Sequence, residues 1–237
     1  MTILDSTGAH LAKVAEHNAA ALDTAAQTVL DCVLADGLLL TAGAGHSLAA
    51  VAETFYRAGG LACVKPLYHP DLLPMHGAMA STKAERRAGL AAEVLGTPGA
   101  ADVLVVFSTS GVNPYPVELA KLGRAADRPV IGVTSGPASS AAPLRAGTRV
   151  AETASIVLDT LVPPGDATYP ADESVTAPVS TVVNAFLWNL LLGRVLDLAT
   201  DTGVTLPLWR SSNVPGGDEA NAGLFARFTP RVPALRG

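Results

Sequence analysis

Three short segments combine glycine and hydroxyl side chains in a way that suits an anion. They are Thr41-Ala42-Gly43-Ala44-Gly45-His46-Ser47, Ser108-Thr109-Ser110-Gly111-Val112-Asn113, and Thr134-Ser135-Gly136 with Ser139 and Ser140 just beyond. Gly43 and Gly45 permit unusual backbone angles and close approach of a ligand. A helix beginning behind Ser47 offers free N–H groups and the positive end of its dipole. The hydroxyls add donors without a permanent charge. Two such turns from neighbouring strands can close around one phosphate. The first turn is neither a dinucleotide fingerprint nor a P-loop, since it lacks Gly-x-Gly-x-x-Gly and no Gly-Lys-Ser/Thr follows. A lone Gly-x-Gly after a strand is commonly structural, and Ser or Thr at a strand end commonly caps a helix. The pairing of Ser-Thr-Ser-Gly with Gly-His-Ser is what points to a phosphate site.

Candidate acids and bases lie close to these turns in sequence. Glu53 comes six residues after Ser47. Glu85 follows the loop after the second strand, at the expected first turn of a helix, where a carboxylate also suits the dipole. His46 sits within the first turn, and His76 in a Pro-containing loop. Lys83 reads as a surface residue. His69, Asp71 and His76 do not make a convincing metal set, so neither a metal nor a cofactor is expected.

The elements that must position these residues alternate between strand and helix. Helix is expected over 8–35, 47–58, 83–95, 114–126 and 179–201, from Ala-rich or amphipathic runs with Gly or Pro at their ends. Strands are expected over 37–41, 61–67, 101–107, 129–134 and 155–158. Ala101 to Phe107 is the clearest, and its near-continuous apolar run calls for cover on both faces. Strands alternating with helices imply a parallel sheet with right-handed crossovers. Ligands of such sheets bind at the carboxyl ends of the strands, where the three turns fall. The segment 68–82 reads as a loop, and residues 206–237 as a tail wrapping the surface. No repeat or domain boundary appears, so one domain spans 1–237.

The chain has 237 residues, 16 basic and 21 acidic. A mildly acidic chain without a Lys/Arg run is a poor nucleic-acid binder. Cys32 and Cys63 lack metal-ligand spacing and fit a reduced, cytoplasmic setting. No signal peptide is expected. The apolar stretch near 185–198 is interrupted by Asn189, Arg194 and Asp197, so no membrane span is expected.

Gly45-His46-Ser47, Phe55-Tyr56-Arg57-Ala58-Gly59-Gly60 and Ser108-Thr109-Ser110-Gly111 together resemble the sugar isomerase (SIS) domain proteins. Val162-Pro163-Pro164-Gly165-Asp166 and Asn213 to Glu219 extend the likeness over almost the whole chain, toward a stand-alone bacterial group. The resemblance implies a three-layer α/β/α sandwich with a five-stranded parallel sheet. It implies a homo-oligomer, dimer or tetramer, with sites near subunit interfaces and a sugar phosphate as ligand. In the family pattern Ser47, Ser108, Ser110 and Asn113 hold phosphate, and Thr109 adds a further contact. Gly45, Gly111, Thr134 and Ser135 complete the expected binding set. Related enzymes carry a catalytic glutamate on the helix of Glu53 and a second in the region of Glu85. Asp166 is a turn residue or a sugar-hydroxyl acceptor.

The mechanism implied starts with an opened aldose phosphate, a hexose or hexosamine 6-phosphate by family analogy. A carboxylate, with Glu53 placed first, removes the C2 proton, and His46 or His76 serves the carbonyl oxygen. Reprotonation at C1 gives isomerisation; loss of the C3 substituent gives β-elimination, a lyase or dehydratase outcome. The rival reading is a non-catalytic phosphosugar sensor. Residues 8–35 show no helix-turn-helix pattern or basic face, which counts against direct DNA control.

Overall fold

Five parallel strands form one sheet in the order β2-β1-β3-β4-β5: β1 (Leu39–Gly43), β2 (Val64–Leu67), β3 (Val103–Phe107), β4 (Val130–Thr134) and β5 (Ile156–Asp159). The computed structural model describes residues 2–236. Every residue of β1, β3 and β4 is buried, which accounts for their unbroken apolar or small character. The edge strands β2 and β5 are only partly buried.

Helices cover both faces, giving three layers. They are α1 (Ile3–His17), α2 (Ala19–Leu34), α3 (Leu48–Thr54), α4 (Ala78–Glu85), α5 (Leu90–Leu95), α6 (Pro114–Ala125), α7 (Gly136–Ala141), α8 (Val150–Thr153), α9 (Ser180–Asp201) and α10 (Gly217–Phe228). One layer is formed by α1, α2, α3 and α9, the other by α5, α6 and α8. The chain runs from β1 to β2 on one side, then returns to place β3 on the other side of β1. That reversal is where the loops after β1 and β3 part and leave a crevice. Gly43 pairs with Phe107 in register, so the Ser47 and Ser108 turns leave the sheet side by side.

Several elements differ from expectation. The expected helix 8–35 is two helices broken at Asn18. The Asn18 side-chain amide donates to the carbonyls of Val14 and Asp159, each at 2.8 Å, and its Oδ1 accepts from Asp159 N–H at 2.7 Å. A distant strand end therefore claims this residue. Helix α4 begins inside the expected loop 68–82. A second break follows, where Gly89 takes a φ of 85° before α5. Glu85 is consequently the last residue of α4.

The tail also folds. Residues 206–209 pair with 60–62 through a bridge between Leu61 and Leu208 and the Ala62 N–H to Pro207 carbonyl bond. Helix α10 then packs Phe225 against Trp209 and Tyr56. Arg227 and Arg231 both hold the Asp36 carboxylate just before β1. Helix α9 has 22 residues and is apolar and long enough, by length and composition, to cross a bilayer. It buries Val183, Leu187, Trp188, Leu191, Val195 and Ala199 in the layer with α1, α2 and α3, while Val182 and Leu196 are exposed.

Candidate functional site

A cleft of about 360 Å³ opens at the carboxyl ends of the central strands, lined by Ser47, Glu85, Ser108, Thr109, Ser110 and Asp166. Ala138, Ala141 and Ala142 form one side and Pro163-Pro164-Gly165 another.

The first turn is shaped by backbone contact. Ala44 is extended, Gly45 has φ 59°, and Gly45–Ser47 makes one 3₁₀ turn that runs straight into α3. The second turn is held from below. Ser108 is buried and its Oγ accepts the Gly111 N–H at 3.2 Å. The Thr109 carbonyl accepts from Ser135 N–H at 2.9 Å and from Thr134 Oγ1 at 3.3 Å. Gly111 has φ 60°, and a Cβ there would stand 2.7 Å from Thr134 Oγ1, so only glycine fits. The hydroxyls of Ser47 and Ser110, and the backbone N–H groups of Thr109 and Ser110, have no hydrogen-bond partner among the described residues. With the unpartnered Thr109 hydroxyl and the Ser108 proton, which no protein group accepts, they are donors available to a ligand.

Thr134 and Ser135 therefore act within the protein. Ser135 caps α7 by accepting from Ala138 N–H at 3.1 Å and donates to the Val162 carbonyl at 2.6 Å. Asp166 also has protein partners on both oxygens. Oδ1 accepts the N–H groups of Val179 and Ser180 at 3.0 and 2.8 Å, and Oδ2 accepts the Ser180 hydroxyl at 2.6 Å. It caps α9 from a distance in sequence.

Glu85 reaches the cleft and Glu53 does not. The half-buried Glu85 accepts from Asn113 Nδ2 at 2.6 Å. Glu53 lies in the last turn of α3, where Thr54 faces the sheet and bonds Thr41, leaving Glu53 on the flank in an ion pair with Arg57. His46 and Gly45 border a neighbouring recess of about 290 Å³ with Leu48, Ala49, Leu73 and Met75. His46 and His76 are exposed, and neither lines the cleft. Lys83 is exposed on α4. No cluster of His, Cys, Asp and Glu able to hold a metal occurs among the described residues.

With this geometry in view, comparison with known proteins is decisive on family. A SIS domain family model matches residues 4–135. The chain belongs to the SIS domain family. Full-length relatives agree: a UPF0309 protein of Halalkalibacterium halodurans is 36% identical over 220 residues, covering 90% of this chain and 88% of the relative. A UPF0309 protein of Streptomyces coelicolor is 37% identical over 240 residues, covering 97% and 94%. Among solved structures, a Bacteroides fragilis protein described as a phosphosugar isomerase involved in capsule formation shares the fold. The match has a TM-score of 0.52 at 21% identity and covers 86% of this chain and 93% of that one.

The residues matched to the SIS domain include both turns, Glu53 and Glu85. The outer wall Pro163–Asp166 and Arg145 lie beyond them. Arg145, which nothing in the sequence singles out, sits in an exposed connection after α7 and donates to Asn113 Oδ1 at 3.2 Å. Within this SIS core both thiols are free and buried. Burial pushes Cys63 and Cys32 up to about 12, Cys32 with added repulsion from Cys63.

Proposed function

We propose that this chain is a phosphosugar enzyme that removes the C2 proton of an opened hexose or hexosamine 6-phosphate, with Glu85 as the base. The observation that carries this reading is that one cleft collects Ser47, Ser110, the free N–H groups of the second turn and the Glu85 carboxylate. The turns bind the phosphate, and that binding energy fixes the reacting carbons against the carboxylate. The SIS domain membership supports a phosphosugar as ligand. The enediol, or enolamine from a hexosamine, ends either by protonation at C1, an isomerisation, or by loss of the C3 substituent, a β-elimination.

His46 and His76 have no carbonyl to serve from within the cleft of a single chain. His46 borders a recess with Met75, which precedes His76 directly, and Met75 and Met79 are 84% and 72% accessible. Apolar exposure of this kind suits self-association. The reading therefore includes a homo-oligomer in which a second copy covers this patch.

The test is incubation of the protein with a panel of hexose and hexosamine 6-phosphates in heavy water, followed by mass spectrometry. C2 exchange by the native protein, reduced roughly 10²–10⁴-fold in E85Q, supports the assignment. Retention of exchange in E85Q with loss in E53Q returns the role to Glu53. Tight binding with no exchange from any sugar leaves a phosphosugar sensor.

A further inference from the structure

The geometry points to Asn113 and Arg145 as positioning residues that hold the Glu85 carboxylate in place. This rests on the reading of Glu85 as base. Asn113 is the N-cap residue of α6, yet its side chain makes no capping bond. That forgone bond is ordinarily stabilising. Instead the buried side chain spans two other elements. Nδ2 donates to Glu85 Oε1 at 2.6 Å, and Oδ1 accepts from Arg145 Nη1 at 3.2 Å. The amide orientation is dictated by its partners: a carboxylate only accepts and a guanidinium only donates, so a flip loses both bonds. The result is a carboxylate–amide–guanidinium chain from the cleft to the surface.

This chain does two things for Glu85. It occupies Oε1 and so fixes the carboxyl plane, leaving Oε2 without a partner among the described residues and able to take a proton. It also anchors the amide itself, since Arg145 holds Asn113 Oδ1 from the far side and keeps Nδ2 aimed at Glu85. The other elements packed on α4 are the Gly45–Ser47, Pro70–Leu72 and Pro74–His76 turns and α6. They carry His46, Asp71, His76, Tyr115, Glu118, Lys121 and Arg124, and α4 itself carries Lys83. Glu118 accepts from Gly89 N–H, Lys121 donates to the Ala146 carbonyl, and Arg124 donates to Ser155. None of these groups hydrogen-bonds Glu85.

The test uses the full-length protein with ¹³C-labelled glutamate, the Glu85 carboxyl resonance being assigned by its absence in E85Q. Arg145 is exposed, so R145M should fold, with R145K restoring the charge. R145M is expected to displace the Glu85 carboxyl resonance at one fixed pH, because the amide that holds Oε1 loses its own anchor, and R145K, which keeps a donor, should bring it back. N113L, which removes the bond to Oε1, should displace it further. Affinity for inorganic phosphate in R145M should stay within about twofold, since Arg145 acts through Asn113 and not on the anion. With whichever sugar phosphate the native protein exchanges, R145M and N113L should lower kcat for C2 exchange and leave KM within about twofold. An unmoved resonance in R145M and N113L overturns the relay. A phosphate affinity lowered about tenfold in R145M with the resonance unmoved makes Arg145 a phosphate ligand, which also overturns it. Absence of exchange by the native protein overturns the proposed reaction alone, because the resonance and the phosphate binding need no turnover.

Discussion

Gly43 and Ser47 touch so closely that a Cβ on Gly43 would stand 2.8 Å from the Ser47 carbonyl oxygen and 3.0 Å from its carbonyl carbon. The end of β1 and the start of α3 are thus in direct backbone contact, and the Ser47 turn has no slack. Gly43→Ala must push the turn outward. A loss of about 1–3 kcal/mol of stability is expected, as for other overpacked sites. Thermal melting reads the first effect, and calorimetric titration with glucose 6-phosphate reads an accompanying loss of affinity. A variant with native melting and native affinity would show that the turn yields freely.

The two serines of the second turn have separable roles. Ser108 Oγ accepts from Gly111 N–H and so also holds the turn, keeping only its proton for the cleft, whereas Ser110 Oγ has no partner within the protein. Ser110→Ala should weaken sugar-phosphate binding by roughly 1.5–3 kcal/mol, the value of one hydrogen bond to a charged group, with an unchanged melting temperature. Ser108→Ala should lower both affinity and melting temperature. Equal behaviour of the two variants in the same pair of measurements would contradict this division.

The buried thiols give a pH signature. In the folded chain Cys32 and Cys63 are held protonated up to about 12, whereas an unperturbed thiol titrates at 9.0. The folded state therefore binds more protons between these values. The contribution to stability is complete below the unfolded value and is lost as pH rises through the folded one. Iodoacetamide at pH 8 should label neither thiol of the native protein at an appreciable rate, and both at once in denaturant. Rapid labelling of the folded protein would place a thiol at the surface. Replacing both with Ala should flatten the alkaline limb of the stability curve.

Much of this was written locally in the sequence. The continuous apolar run of Val103 to Phe107 needs cover on both sides, and β3 lies at the sheet centre. Pro114 opens α6 and the Ser-Thr-Ser-Gly turn precedes it, because strand, turn and helix start are each coded by adjacent residues. What escaped depends on partners far along the chain. The break at Asn18 is made by Asp159, and helix 8–35 looks unbroken without it. Helix α10 is hidden by its glycines and is held by Asp36, Tyr56 and Trp209. Glu85 was legible as a candidate but not as the end of α4, since Ala78 to Thr82 follows a Pro-containing stretch that masks a helix start. Arg145 carries no local signal; only folding brings it to Asn113.

Asp166 ties the outer wall of the cleft to the first turn of α9 through Val179 and Ser180. The wall is therefore an outgrowth of a 22-residue rod that is itself packed in the domain. A ligand entering the cleft meets a surface whose disorder has already been removed during folding. Little ordering entropy remains to be lost on that side at the moment of binding. Asp166→Ala would transfer that entropic cost from folding to recognition, leaving every group that lines the opposite side unchanged.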